Sequence, residues 1–105
     1  LKRLLDNMIR VKYSNNKIIV SGHANFDDYG KDIVCASVSS IITTSVNDMH
    51  VVDNEAIVYT DNGQELIIEI IKENELLNKI FNNLISLLKN LAEDYPKNIK
   101  VESEE

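Results

Sequence analysis

The sequence has very few of the residues that build disulfide frameworks and metal centres. It contains one cysteine, two histidines, three glycines, one proline and no tryptophan among 105 residues. A single cysteine excludes an intramolecular disulfide and a cysteine-rich zinc site. The scattered glycines form no phosphate-binding loop, and no apolar run approaches the ~20 residues that a membrane span requires. Any chemistry must therefore depend on a small number of side chains.

Positive charge is also scarce, because the net charge is −6 and the isoelectric point is near 4.8. This balance argues against nucleic-acid binding as the main activity and favours a basic or uncharged partner. Apolar residues make up 44% and charged residues 27%, which is typical of a globular domain with one modest core. We see no export signal and expect a cytoplasmic protein with a reduced thiol.

The strand pattern begins just after Met8, which we expect to be the start of a single domain over residues 8–101. Residues 1–7 are then an upstream extension, although a short helical turn is an equal alternative. Glutamates dominate residues 102–105, and we expect this acidic tail to be frayed.

Alternation of apolar and polar residues predicts two β-hairpins. The first turns at Asn15-Asn16, since asparagine tolerates turn conformations. The second turns at the Asn-Gly pair within residues 61–64, a strong hairpin signal. The predicted strands are residues 9–14, 17–21, 56–60 and 65–71, with a short edge strand over 99–101.

Apolar residues spaced three and four apart predict two helices. The first begins at about Asp32, after a loop over residues 24–31, and starts to close at Asn47. The second covers residues 73–95 and stops at Pro96. The order strand-strand-helix-strand-strand-helix-strand predicts an α+β fold with two layers, in which two helices cover a mostly antiparallel sheet of four to five strands.

Cys35 is either a small core residue or a nucleophile. Cysteine is among the most buried residue types, which favours a structural role. A helix that begins near Asp32 would, however, place Cys35 in its first turn, where unpaired amides and the helix dipole favour a thiolate. The same amides can stabilise the oxyanion of a tetrahedral intermediate.

His23 lies twelve positions before Cys35 and follows Gly22 at the end of a predicted strand. A histidine in such a place is most often a surface hydrogen-bonding residue. A helix packed on that strand can nevertheless bring the imidazole to the thiol as its base. Asp32 is expected to cap the helix, or alternatively to orient His23 or contact substrate. His50 is expected to be a surface residue.

Carboxylates near His23 raise the question of a metal site. Asp27, Asp28 and Asp32 match no calcium-loop spacing, and no Cys/His pair has zinc spacing. We therefore expect neither a metal nor another cofactor.

Several short segments carry a resemblance to a known family. They are Gly22-His23-Ala24, Tyr29-Gly30, Asp32-Ile33-Val34-Cys35-Ala36, Ser39, Ser45-Val46-Asn47, Glu93-Asp94-Tyr95 and Asn98-Ile99. Together they resemble the bacterial ribosomal-processing cysteine proteases called Prp, over residues 8–101. The sequence departs from that pattern at Ser37, where the family usually has another small apolar residue.

The resemblance implies a homodimeric α+β cysteine endopeptidase that removes the short N-terminal extension of large-subunit ribosomal protein twenty-seven during ribosome assembly. It implies Cys35 as nucleophile, His23 as general base and acid, and Asp32 as a frequent third member. Gly22, Tyr29 and Gly30 would belong to a mobile loop over residues 22–31 that closes over the bound peptide. Ser39 would support the site from behind the reacting groups.

Two other functions remain open at this point. The chain can be a non-catalytic ribosome-associated interaction module in which Cys35 is a buried structural residue. It can also be another small thiol hydrolase. Reactivity of the thiol separates the first alternative from an enzyme, because a buried structural cysteine is inert.

Overall fold

Two hairpins and a C-terminal strand form one five-stranded sheet in the computed structural model, which describes residues 8–22 and 29–104, with residues 29–32 described by their backbone alone. The strands are β1 (Ile9–Tyr13), β2 (Lys17–Ser21), β3 (Ile57–Asp61), β4 (Glu65–Ile70) and β5 (Ile99–Ser103). Their order across the sheet is β3-β4-β2-β1-β5. Neighbouring strands are antiparallel except β1 and β5, which run parallel.

Two helices, α1 (Tyr29–Val52) and α2 (Glu75–Asp94), complete the fold. They contact each other, while α1 also contacts β3 and α2 also contacts β5. The Asn74 side chain accepts hydrogen bonds from the backbone N–H groups of Leu76 and Leu77, at 2.9 and 3.2 Å. This cap satisfies two otherwise unpaired donors and fixes the start of α2.

The core lies between the helices and one face of the sheet. Buried residues alternate along the strands, as Ile18 and Val20 do in β2, and recur every three or four residues in the helices. Phe81 of α2 is the largest almost fully buried side chain among the residues that the structure describes. The opposite face of the sheet carries exposed charged residues such as Lys12 and Glu65. The predicted two-layer α+β fold is confirmed.

The structure corrects the predicted C-terminal tail. Glu102 and Ser103 belong to β5, where they pair with Lys12 and Tyr13 of β1. The Glu104 N–H extends the ladder by donating to the Tyr13 carbonyl oxygen at 2.8 Å. Because β1 offers pairing positions to five residues, β5 continues past Val101. The expectation for residues 1–7 lies outside the described residues.

α2 is amphipathic, and α1 contains several small residues. Within the part of the chain that the structure describes, neither has the length and hydropathy needed to cross a bilayer.

Candidate active site

Cys35 lies on α1 at the boundary between the core and solvent. Its neighbour Val34 is fully buried, whereas Cys35 is only partly buried and packs against the edge of the core. A thiol in this position keeps one side available to a reactant. This partial exposure differs from that of an inert core cysteine.

The prediction that Cys35 lies in the first helical turn is wrong. Because α1 begins at Tyr29, Cys35 is its seventh residue and lies in the second turn. Amides beyond the first turn are bonded within the helix, and the dipole effect falls off over the same distance. The helix alone would therefore activate the thiol little, and the predicted role of Cys35 as nucleophile depends on a neighbouring base. Gly30, a weak helix former, is the reason that the sequence favoured a later start.

Asp32 is likewise inside α1 rather than at its N-cap. The predicted capping role therefore does not fit the observed helix. The side chains of Tyr29 and Asp32, and all of His23, lie outside the described residues. Their predicted roles, and the contact between His23 and Cys35, stay predictions.

Gly22 directly follows the central strand β2 and precedes His23 in the sequence. It has a φ of +79°, and a Cβ atom added to it would lie 2.5 Å from the Met8 carbonyl oxygen. Both the left-handed backbone and the close approach to another backbone segment require glycine. The direction in which the chain leaves β2 toward His23 is thus fixed by this residue.

We expect Gly22→Ala to lower the free energy of unfolding by about 1–3 kcal/mol through backbone strain, plus the cost of moving the Met8 carbonyl. Urea unfolding measures the change. Gly63→Ala is the matched control, because Gly63 has a φ of +88° but nothing within 4 Å of an added Cβ. Equal losses in the two variants would show that the Met8 contact has no effect.

A pocket of about 150 Å³ lies where β2 and α1 meet. Val20 of β2 and Val38 of α1 both line it. Val20 is three residues before His23, and Val38 is three residues after Cys35. The pocket therefore lies between the strand that precedes the predicted base in the sequence and the helix that carries the predicted nucleophile. The described residues that line it are Val20, Val38, Ser39, Ile42, Thr43, Tyr59, Asp61 and Leu66.

Ser39 is the one predicted supporting residue that the structure describes in full. It lies one turn after Cys35 on the same side of α1, since residues four apart are neighbours on a helix, and it lines the pocket. Thr43 follows one turn later and lines the same pocket. Small polar side chains recur at positions 35, 39 and 43, which are spaced four residues apart on one side of α1. This spacing is visible in the sequence, but the sequence interpretation missed Thr43.

Ser37, where the sequence departs from the family pattern, fits the helix without difficulty. Its hydroxyl donates to the Ile33 carbonyl oxygen at 2.9 Å. The polar group is satisfied by its own helix, so the serine leaves no unpaired group in the site.

Among the described residues, no group of three or more histidine, cysteine or acidic side chains could hold a metal ion. The carboxylates of Asp27 and Asp28 lie outside those residues.

The chain matches a known protein family over most of its length. The sequence profile of the family described as "Cysteine protease Prp" matches residues 8–100. The chain is 33% identical over 87 residues to the ribosomal processing cysteine protease Prp of Staphylococcus aureus, covering 80% of this chain and 82% of that protein. It is 34% identical over 102 residues to the protein of the same name from Mycoplasma pneumoniae, covering 92% and 96%.

A solved structure gives the same result. The fold matches that of the ribosomal processing protease Prp from S. aureus in complex with a substrate peptide, with a TM-score of 0.80 and 28% identity. The match covers 92% of this chain and all of that one. The chain therefore belongs to the Prp family of cysteine proteases.

Proposed function

We propose that this protein is a ribosomal-processing endopeptidase that removes the short N-terminal extension of large-subunit ribosomal protein twenty-seven during ribosome assembly. The name of its relatives states ribosomal processing, and the resemblance in the sequence implies this substrate. The observation that carries the proposal is the pocket between β2 and α1. His23 follows β2 in the sequence, and Cys35 lies on α1 one turn before the pocket residue Ser39.

The proposed mechanism is acyl transfer. His23 takes the thiol proton of Cys35, and the thiolate attacks the scissile carbonyl carbon to form a tetrahedral intermediate. Collapse of the intermediate breaks the C–N bond, and His23 protonates the leaving amine. Water, deprotonated by His23, then hydrolyses the thioester to release the carboxylic acid and regenerate the thiol.

The first turn of α1 supplies the proposed oxyanion donors. Its amides have no partner within the helix, and they lie one turn before Cys35. Helical side chains lean toward the N-terminus of their helix, so the thiol is directed toward that turn. Asp32 belongs to the same turn, and we propose that it orients His23. Residues 22–31, with Gly22, Tyr29 and Gly30, are proposed to contact the substrate.

The charge of the chain is consistent with this substrate. A net charge of −6 accelerates association with a basic ribosomal protein through long-range attraction. We further propose that the protein acts in the cytoplasm as a homodimer, without a cofactor and without binding nucleic acid directly.

A synthetic peptide that copies the N-terminal junction of ribosomal protein twenty-seven tests the proposal. The purified protein is expected to cut this peptide at one bond, and mass spectrometry of the products locates that bond. A scrambled peptide of the same composition is the control and should stay intact. An uncut junction peptide with a reactive Cys35 would instead favour another small thiol hydrolase.

A further inference from the structure

Strand β3 leaves a row of backbone groups directed away from the sheet. It lies at the edge and pairs only with β4. The Ile71 N–H donates to the Ala56 carbonyl at 2.8 Å, and the Asn62 N–H donates to the Glu65 carbonyl at 3.1 Å. Bonded pairs alternate in an antiparallel ladder, so Val58 and Thr60 bond to β4.

The residues that alternate with them, Tyr59 and Asp61, therefore direct their N–H and C=O groups toward the outside. Among the described residues, no backbone group pairs with them there. An edge of this kind is a template for an additional strand.

The pocket that begins one turn after Cys35 on α1, at Ser39, opens next to this edge. Tyr59 and Asp61, the same residues whose backbone faces outward, line the pocket together with Ser39 and Thr43 of α1. Tyr59 is 43% exposed, although its partner Ile68 is fully buried. The Tyr59 side chain is therefore partly accessible at the pocket.

The floor and rim of the pocket differ in chemistry. The floor consists of the buried apolar residues of the lining, namely Val20, Val38, Ile42 and Leu66. The rim consists of exposed residues, among them the polar Ser39, Thr43 and Asp61, and the Asp61 carboxylate also accepts a hydrogen bond from the Gly63 N–H. A volume of about 150 Å³ is comparable to that of an apolar cavity that binds benzene. The pocket thus suits one apolar side chain of a peptide whose backbone stays at the polar rim.

We propose that substrate binds as an extended strand along the free edge of β3 and inserts one apolar side chain into this pocket. The inference rests on the proposed endopeptidase function and adds its specificity determinant. Ser39 is about 6 Å along α1 from Cys35 at the helical rise, and Thr43 is one turn further. For a peptide that runs alongside α1 at about 3.3 Å per extended residue, the inserted side chain lies about two to four residues from the cleaved bond.

Filling the pocket tests this assignment. Thr43→Leu places a larger apolar group at the rim, and Thr44→Leu is the matched control, because Thr44 is the next residue, is exposed, and does not line the pocket. The substrates are the junction peptide and versions with alanine at each position within four residues of the cleaved bond.

We expect Thr43→Leu to lower kcat/KM about tenfold for the junction peptide, the size of effect that one or two methylene groups have in an apolar pocket. The loss should be smaller for the one peptide whose pocket side chain is alanine. Thr44→Leu should leave all the values unchanged. Identical peptide preferences in Thr43→Leu and Thr44→Leu would overturn the inference.

Binding to the inactive Cys35→Ala protein separates this inference from the proposed function. Fluorescence anisotropy should show a Kd about tenfold higher when Thr43→Leu is added, and no change with Thr44→Leu. Junction peptides N-methylated at single positions should lose affinity at alternate residues, as expected of a strand. If peptide binding depended on the pocket but the native protein cut no peptide, the proposed endopeptidase function would be wrong and this inference would stand.

Two further results would overturn the inference itself. One is the absence of any effect of Thr43→Leu on peptide affinity. The other is a change in oligomeric state caused by Thr43→Leu, measured by sedimentation, while the peptide preference stays unaltered. This result would mean that the β3 edge forms a contact between two copies of the chain.

Discussion

Replacing Cys35 with alanine is expected to reduce cleavage of the junction peptide below detection. Loss of the nucleophile in a protease that works through a covalent intermediate lowers kcat by up to about 10⁶-fold. The change should cost about 1 kcal/mol or less, because Cys35 is only partly buried and loses one heavy atom at the edge of the core, comparable to one methylene group. Product formation followed by chromatography measures the first effect, and urea unfolding measures the second.

Cys35→Ser is the control for shape. It keeps a side chain of similar size on α1 but replaces the thiol with an alcohol, which is a much weaker nucleophile at neutral pH. Cleavage should be lost in both variants while the unfolding curve stays close to that of the native protein. Turnover retained by either variant would mean that another residue is the nucleophile.

Replacing His23 with alanine is expected to lower kcat/KM by about 10²–10⁴-fold, the range in which a positioned acid–base group contributes. The same change should slow alkylation of Cys35 by iodoacetamide below pH 8. Cys35 is in the second turn of α1, so the helix dipole contributes little and the imidazolium must stabilise the thiolate. The rate of mass increase of the intact protein, followed from pH 5 to 9, measures this effect.

His50→Ala is the matched control for His23→Ala, since His50 lies in the last turn of α1. It should change neither cleavage nor alkylation. If His23→Ala and His50→Ala behaved alike, His23 would not be the base. If Cys35 were inert in the native protein, the chain would instead be an interaction module with a structural cysteine.

The sequence predicted the sheet and helices well, because the determinants of these elements are local. Alternation along residues 9–14 and 17–21 and the Asn-Gly turn at Asn62-Gly63 act over a few neighbours. The errors fall at the ends of elements. α1 begins at Tyr29, so the helix includes Gly30 despite the low helix propensity of glycine. β5 continues to Ser103 because β1 offers it a partner.

The candidate site was only half accessible to sequence reasoning. Cys35 and His23 stood out because each residue type is rare in this chain and because their surroundings resemble a family signature. The pocket did not stand out, since Tyr59 and Asp61 reach it from β3, more than twenty residues further along the chain. Their contribution depends on β3 lying at the edge of the sheet and against α1. That arrangement is a property of the whole fold.

Co-expression with the candidate substrate tests the central claim most directly. The protein is produced together with the precursor of ribosomal protein twenty-seven, in a host that does not process this precursor itself. The intact mass of the precursor is then measured. We predict a precursor shortened at its N-terminus with the native protein and a full-length precursor with Cys35→Ala. A full-length precursor with the native protein, or a shortened one with Cys35→Ala, would contradict the account.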